Sequence, residues 1–185
     1  MADKQSDRVS EVLYFWFSDS TKPLWFKKSD EFDLEIRRRF LDLYQQAAAG
    51  ILNDWRKEPR SILALIIVLD QFPRNMFRNL PQAFATDSQA VELTKYAVKN
   101  NYQKSLSPDE QAFLYMPLMH SENKEEQARC VRLFEELGKE DNLKFAIKHQ
   151  EIIDRFDRFP HRNKILGRKS TPEEERFLAQ PGSSF

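Results

Sequence analysis

The sequence predicts an all-α fold, and three observations carry that expectation. Only four glycines occur in 185 residues, well below the usual share of about 7%, so the chain offers few hairpin turns. Apolar residues recur at helical rather than alternating spacing, as in Phe32, Ile36, Phe40 and Leu43. Two strings, Ser107-Pro108-Asp109-Glu110 and Thr171-Pro172-Glu173-Glu174, read as helix starts. Each supplies a capping hydroxyl, a proline at the first helical position and carboxylates over the positive end of the helix dipole.

Taken in order, the first helix is expected from about Ser6 to Phe17, with Val9, Val12, Leu13 and Trp16 on one face. A turn with Pro23 leads through Trp25 and Phe26 to Ser29, an N-cap for a long helix ending near Gly50. The segment from about Ser61 to Phe72 is apolar all round, which implies burial on several sides. Asp87 is read as the cap of a helix over Ser88–Asn100, and Ser107 as the cap of the next. Helices over about Lys124–Leu137 and Asn142–Phe156 are separated by Gly138, and Thr171 opens a short last helix. Seven or eight helices on short links favour antiparallel neighbours, as a bundle or as stacked pairs. One domain over 1–185 is expected, with residues 1–5 and 180–185 flexible.

Composition narrows the function classes. Lys plus Arg equals Asp plus Glu at 29 each, so no basic excess points to nucleic acid. The longest aliphatic run, Ile62–Leu69, is far shorter than the roughly 20 residues of a membrane helix. The polar N-terminus has no signal-peptide pattern, and the lone Cys130 precludes an internal disulfide framework, so the expected address is cytoplasmic. No glycine-rich phosphate loop, nucleophile elbow or paired metal-ligand spacing is present, and neither a cofactor nor a metal is expected.

The chemistry-bearing residues gather in three proline-containing clusters: Asp70–Asn75, Met116–Glu122 and Arg155–Asn163. The first and third nearly repeat one another, FPRN against FPHRN. Proline removes a donor and frees an upstream carbonyl, so each cluster is expected to mark a helix break whose backbone needs polar partners. That requirement alone explains Arg, Asn and His side chains there. A pairing of Asp70 with Arg74 is expected at one helical turn, and His149 belongs to an apolar helix face with Phe145, Ile152, Ile153 and Phe156. The aromatic run Tyr14–Phe17 with Trp25 and Phe26 is assigned to the core.

A functional alternative stands beside this. Six basic residues face two acids between Asp154 and Lys169, and guanidinium groups bind carboxylates and phosphates bidentately. Arg74, Asn75, Arg158, His161, Arg162 and Asn163 are therefore candidate ligands for an anionic small molecule or a charged peptide end. A third possibility is a small hydrolase or lyase, with His120 or His161 as general base and Glu122 or Asp157 orienting it.

The motifs VLYFWF, WFKKSDEFD, LDQFPRNMFR, FLYMPLMHSE, RFPHRN and LGRKSTPEE, in that order from about Val9 to Leu178, closely resemble domain-of-unknown-function family 924, an uncharacterised bacterial family. In that family glycine is common where Asp157 and Ser18 stand here. The resemblance implies a TPR-like fold of stacked antiparallel helix pairs, and so a groove suited to a partner or peptide, by fold analogy alone. It implies no activity and supplies no catalytic residue.

Overall fold

The computed structural model describes residues 2–184, and among them there is helix, turn and loop but no strand. Helix α1 (Ala2–Phe17) and α2 (Asp30–Ala48) are followed by α3 (Pro59–Ile66), a π-helical turn (Ile67–Gln71) and α4 (Phe72–Met76). Then come α5 (Asp87–Lys99), α6 (Pro108–Met119), α7 (Lys124–Leu137), α8 (Glu140–Phe156) and α9 (Pro172–Leu178). Since α3, the π turn and α4 form one continuous rod, these nine α-segments make eight rods among the described residues. Helices α6, α7 and α8 pack successively on one another, in keeping with stacked helix pairs.

The local start signals act as their chemistry requires. Ser29 accepts from the Phe32 amide at 3.3 Å, and Ser107 and Thr171 both form reciprocal capping boxes with Glu110 and Glu174. Gly138 closes α7 at φ +72°, and Asp157 closes α8 at φ +58°. The second value explains why glycine suits that position: left-handed backbone penalises a Cβ.

The central core is aromatic. Trp16, Ile36, Phe40, Phe72 and Phe113 are almost fully buried, with Phe40 and Phe72 stacked at 4.6 Å. Phe15 and Trp16 join this core as expected, but Tyr14 and Phe26 are exposed at 81% and 74%. A smaller apolar cluster of Ile152, Ile153 and Phe159 underlies the C-terminal segment, with Phe156 and Phe177 against it. Of the ends expected to be flexible, Met1 and Phe185 lie outside the described residues, Ala2–Gln5 continue α1, and the buried Ser183 bonds to the Leu178 carbonyl.

Two further sequence expectations need correction. Prolines do not break the chain at all three clusters: Pro117 lies inside α6, and Pro73 lies within the α3–α4 rod. Pro73 cannot donate to the carbonyl four residues back, and the rod absorbs this by widening, with the Phe72 amide reaching the Ile67 carbonyl. The carbonyl of Leu69, which Pro73 leaves unpaired, accepts from the Thr86 hydroxyl at 2.5 Å. Asp70 consequently sits inside a rod rather than at a helix end, and it is fully buried. The second correction concerns Asp87, which caps nothing; it is the first residue of α5, and its carboxylate serves another purpose.

Candidate functional site

The three clusters converge. Asp70 comes from the π turn, Arg74 from α4, Asp87 from the start of α5, His120 from the end of α6, and Arg162 from a 3₁₀ turn after α8. Asp70 is the one charged residue in the apolar run from Ile62 to Leu69 and beyond, and burial demands partners for it. It has three. His120 Nδ1 lies 2.8 and 3.0 Å from its two oxygens, Gln71 Nε2 donates at 2.6 Å, and Arg74 Nη1 stands 3.5 Å away.

Asp87 is shared by two guanidinium groups. Arg74 binds it with both terminal nitrogens at 2.9 and 3.1 Å, whereas Arg162 reaches it once, at 3.3 Å. Arg162 also donates to the His120 carbonyl at 3.0 Å, and its planar head lies 4.6 Å from the Phe84 ring and 4.5 Å from Phe159. Its Nε is buried without a hydrogen-bond partner. The expected Asp70–Arg74 pair is therefore present but secondary, since the bidentate partner of Arg74 is Asp87.

Next to this core, Glu122 accepts both terminal nitrogens of Arg168 at 2.7 and 2.9 Å and the Phe159 amide at 2.8 Å. The His161 ring packs on Phe159 at 5.6 Å. His149 is buried as expected, donating through Nδ1 to the Phe145 carbonyl at 2.7 Å, yet its ring also lies 6.5 Å from that of His120.

Three candidates point elsewhere. Arg158 forms a bidentate pair with Glu174 at 2.6 and 2.8 Å and ties α9 to the end of α8. Asn75 Nδ2 donates to Asp33, which also binds Arg78, so it joins α4 to α2. Asn163 donates to Ser170 and holds the loop before α9. The structure thus brings together Arg74, His120, Glu122, His161 and Arg162, and not Asn75, Arg158 or Asn163. Sequence reasoning missed Asp87 and Arg168, whose partners are remote in sequence, and gave Asp70 too small a part. The lone carboxylate in an apolar segment was the available signal. Asp157, the other proposed orienting acid, is exposed and pairs with Lys124.

Electrostatics follow the packing. Burial raises the Asp70 carboxyl, but Arg74 and then His120 outweigh it and hold the group down to about 2. Burial and then Arg74 lower His120, against the opposing pull of Asp70, so its imidazole is neutral at pH 7. Burial, aided by neighbouring cations, lowers His149 to about 3 and His161 to about 4. Arg162 is brought down to about 10 by burial and then by Arg74. With His120 donating Nδ1–H to a carboxylate, its Nε2 carries the lone pair. Among the described residues Nε2 has no hydrogen-bond partner, and it is not among the buried polar atoms lacking one. The His120 side chain is 17% exposed.

No group of His, Cys, Asp and Glu among the described residues is arranged to hold a metal. Cys130 is buried and burial pushes its thiol up, as packing rather than reactivity requires. No described helix is long and apolar enough to cross a membrane. A surface groove of about 1130 Å³ lies apart from the polar cluster, between the end of α2, α3 and α5. Of the cations that line it, Arg56 lies over Tyr96 at 4.1 Å and Lys95 pairs with Glu92 and Glu126.

Comparison with known proteins agrees with the helical architecture. The sequence profile described as "Bacterial protein of unknown function (DUF924)" matches residues 12–182. A solved structure titled as a protein of unknown function from Agrobacterium tumefaciens is similar, with 37% identity and a TM-score of 0.90 over 94% of this chain and 98% of that one. No curated protein matches the chain.

Proposed function

This chain belongs to the DUF924 family of bacterial proteins, and from that premise we propose that it binds a small anion, a carboxylate or phosphate, at Arg162 and Arg74. The observation that carries the reading is the state of Arg162. Its side chain is only 8% exposed, holds one ionic contact at 3.3 Å to a carboxylate already gripped by Arg74, and keeps a buried Nε donor unused. A buried cation short of counter-charge is costly, and an incoming oxyanion offsets that cost. Arg74 at 20% and Arg168 at 24% side-chain exposure, with the half-buried His161, form the accessible rim. A free metabolite and the carboxylate end of a peptide present the same chemistry. Asn75, Arg158 and Asn163, engaged elsewhere, would act only by supporting the surrounding loops.

The test is thermal unfolding of the wild-type protein and Arg162→Lys with inorganic phosphate, sulfate, acetate, citrate and a short unblocked peptide. Saturation near 100 times the dissociation constant should add about 2.7 kcal/mol, or roughly 5–10 °C for a chain of this size. Lysine keeps the charge but loses the fork and Nε, so the shift should collapse. If no anion stabilises the wild type, or both proteins respond alike, the cluster is only a structural network.

A further inference from the structure

The anion-binding reading leaves the Asp70–His120 pair unexplained. A fully buried carboxylate on a π turn, 2.8 Å from an imidazole nitrogen, is an expensive way to end a helix. Helix α6 has a glutamine for that purpose, because Gln127 Nε2 donates to the Met119 and Ser121 carbonyls at 2.8 and 2.6 Å. The carboxylate instead fixes the ring: Nδ1 keeps the proton, and Nε2 presents its lone pair on the side away from Asp70. Arg162 donates to the main-chain carbonyl of the same histidine, so the under-compensated guanidinium and the basic nitrogen belong to adjoining groups.

We infer that His120 is a general base and that the site hydrolyses carboxylic esters bearing an anionic group, with Asp70 as its positioning residue. The anionic part of this inference rests on the binding reading above. In the step, Nε2 takes a proton from a water molecule as the water oxygen bonds to the ester carbonyl carbon. The carbonyl electron pair moves to oxygen as the tetrahedral species forms. The tetrahedral species then reforms the carbonyl, the bond to the alcohol oxygen breaks, and the Nε2 proton passes to that oxygen. Glu122, one of the two acids that sequence reasoning offered as orienting group, is occupied by Arg168 and the Phe159 amide.

The experiment uses the full chain and two probes, mono-4-nitrophenyl succinate as an anionic ester and 4-nitrophenyl acetate as a neutral one. Wild type is expected to hydrolyse the anionic ester faster than the neutral one, and His120→Gln to lose about 10²–10⁴-fold in kcat. Asp70→Asn should lower kcat by about 100-fold or more with KM little changed, because an amide donor disfavours the Nδ1–H tautomer. The charged and titratable groups around His120 are Asp70, Arg74, Asp87, His149 and Arg162. Of these, the acidic inflection in rate should follow His120 and lie below pH 6.5, and it should move in Asp70→Asn. Should Asp70→Asn fail to fold, carbethoxylation of the wild type by diethyl pyrocarbonate still decides, since Nε2 of His120 must react. Equal ester hydrolysis by wild type and His120→Gln, or an unmodified His120, overturns the inference. Modification that phosphate does not block, with equal rates on both esters, upholds the base but removes the anion reading.

Discussion

Acid should unfold this protein through its histidines before its carboxylates, and the packing sets the size of the effect. His149 and His161 are held down to about 3 and about 4 by burial, against 6.5 when unfolded. A group whose folded value is depressed contributes stability that is complete above the unfolded value and is lost as pH falls toward the folded one. Between pH 6.5 and 5 the unfolded chain takes up protons at both positions and the folded chain does not. At pH 5 the difference is about 1.5 units for each, or about 2 kcal/mol per histidine and about 4 kcal/mol together. Asp70 and Glu174, both held to about 2, contribute chiefly below their unfolded values of 3.8 and 4.5. The window above pH 5 therefore isolates the histidines. Urea unfolding at half-unit steps from pH 7.5 to 5 measures the slope, and His149→Phe should remove its own share, leaving those of His161 and of His120, which burial also lowers. A free energy that stays level across this range, or an undiminished slope in His149→Phe, would refute the reasoning.

Thr86→Val keeps the shape but leaves the Leu69 carbonyl unpaired beside the π turn, which should cost about 1–3 kcal/mol in denaturant unfolding; a loss near zero would mean that water or a shifted backbone satisfies that carbonyl. Ser107→Ala removes the hydroxyl of the α6 capping box and should cost about 1 kcal/mol, most of it restored by Ser107→Asp. Arg158→Ala deletes the bidentate clamp on Glu174, so hydrogen exchange should quicken at the amides of α9 while those of α6 stay protected. Equal quickening in both helices would place Arg158 in the global stability rather than in this local tie.

Local chemistry alone determined much of this protein. The helical spacing of Phe32, Ile36, Phe40 and Leu43, the caps at Ser29, Ser107 and Thr171, and the left-handed stop at Gly138 depend on neighbours within a turn or two. They were legible because backbone hydrogen bonding and side-chain periodicity are short-range. What only the tertiary structure decided is which charges meet. Asp70 and His120 are 50 residues apart, and Asp87 and Arg162 are 75 apart; no periodicity connects them. Burial selected those pairings, since a charge removed from water must find its partner wherever packing brings one. The same force turned an unremarkable acid near Pro73 into the buried anchor of a histidine, and diverted Arg158 and Asn75 to nearer carboxylates.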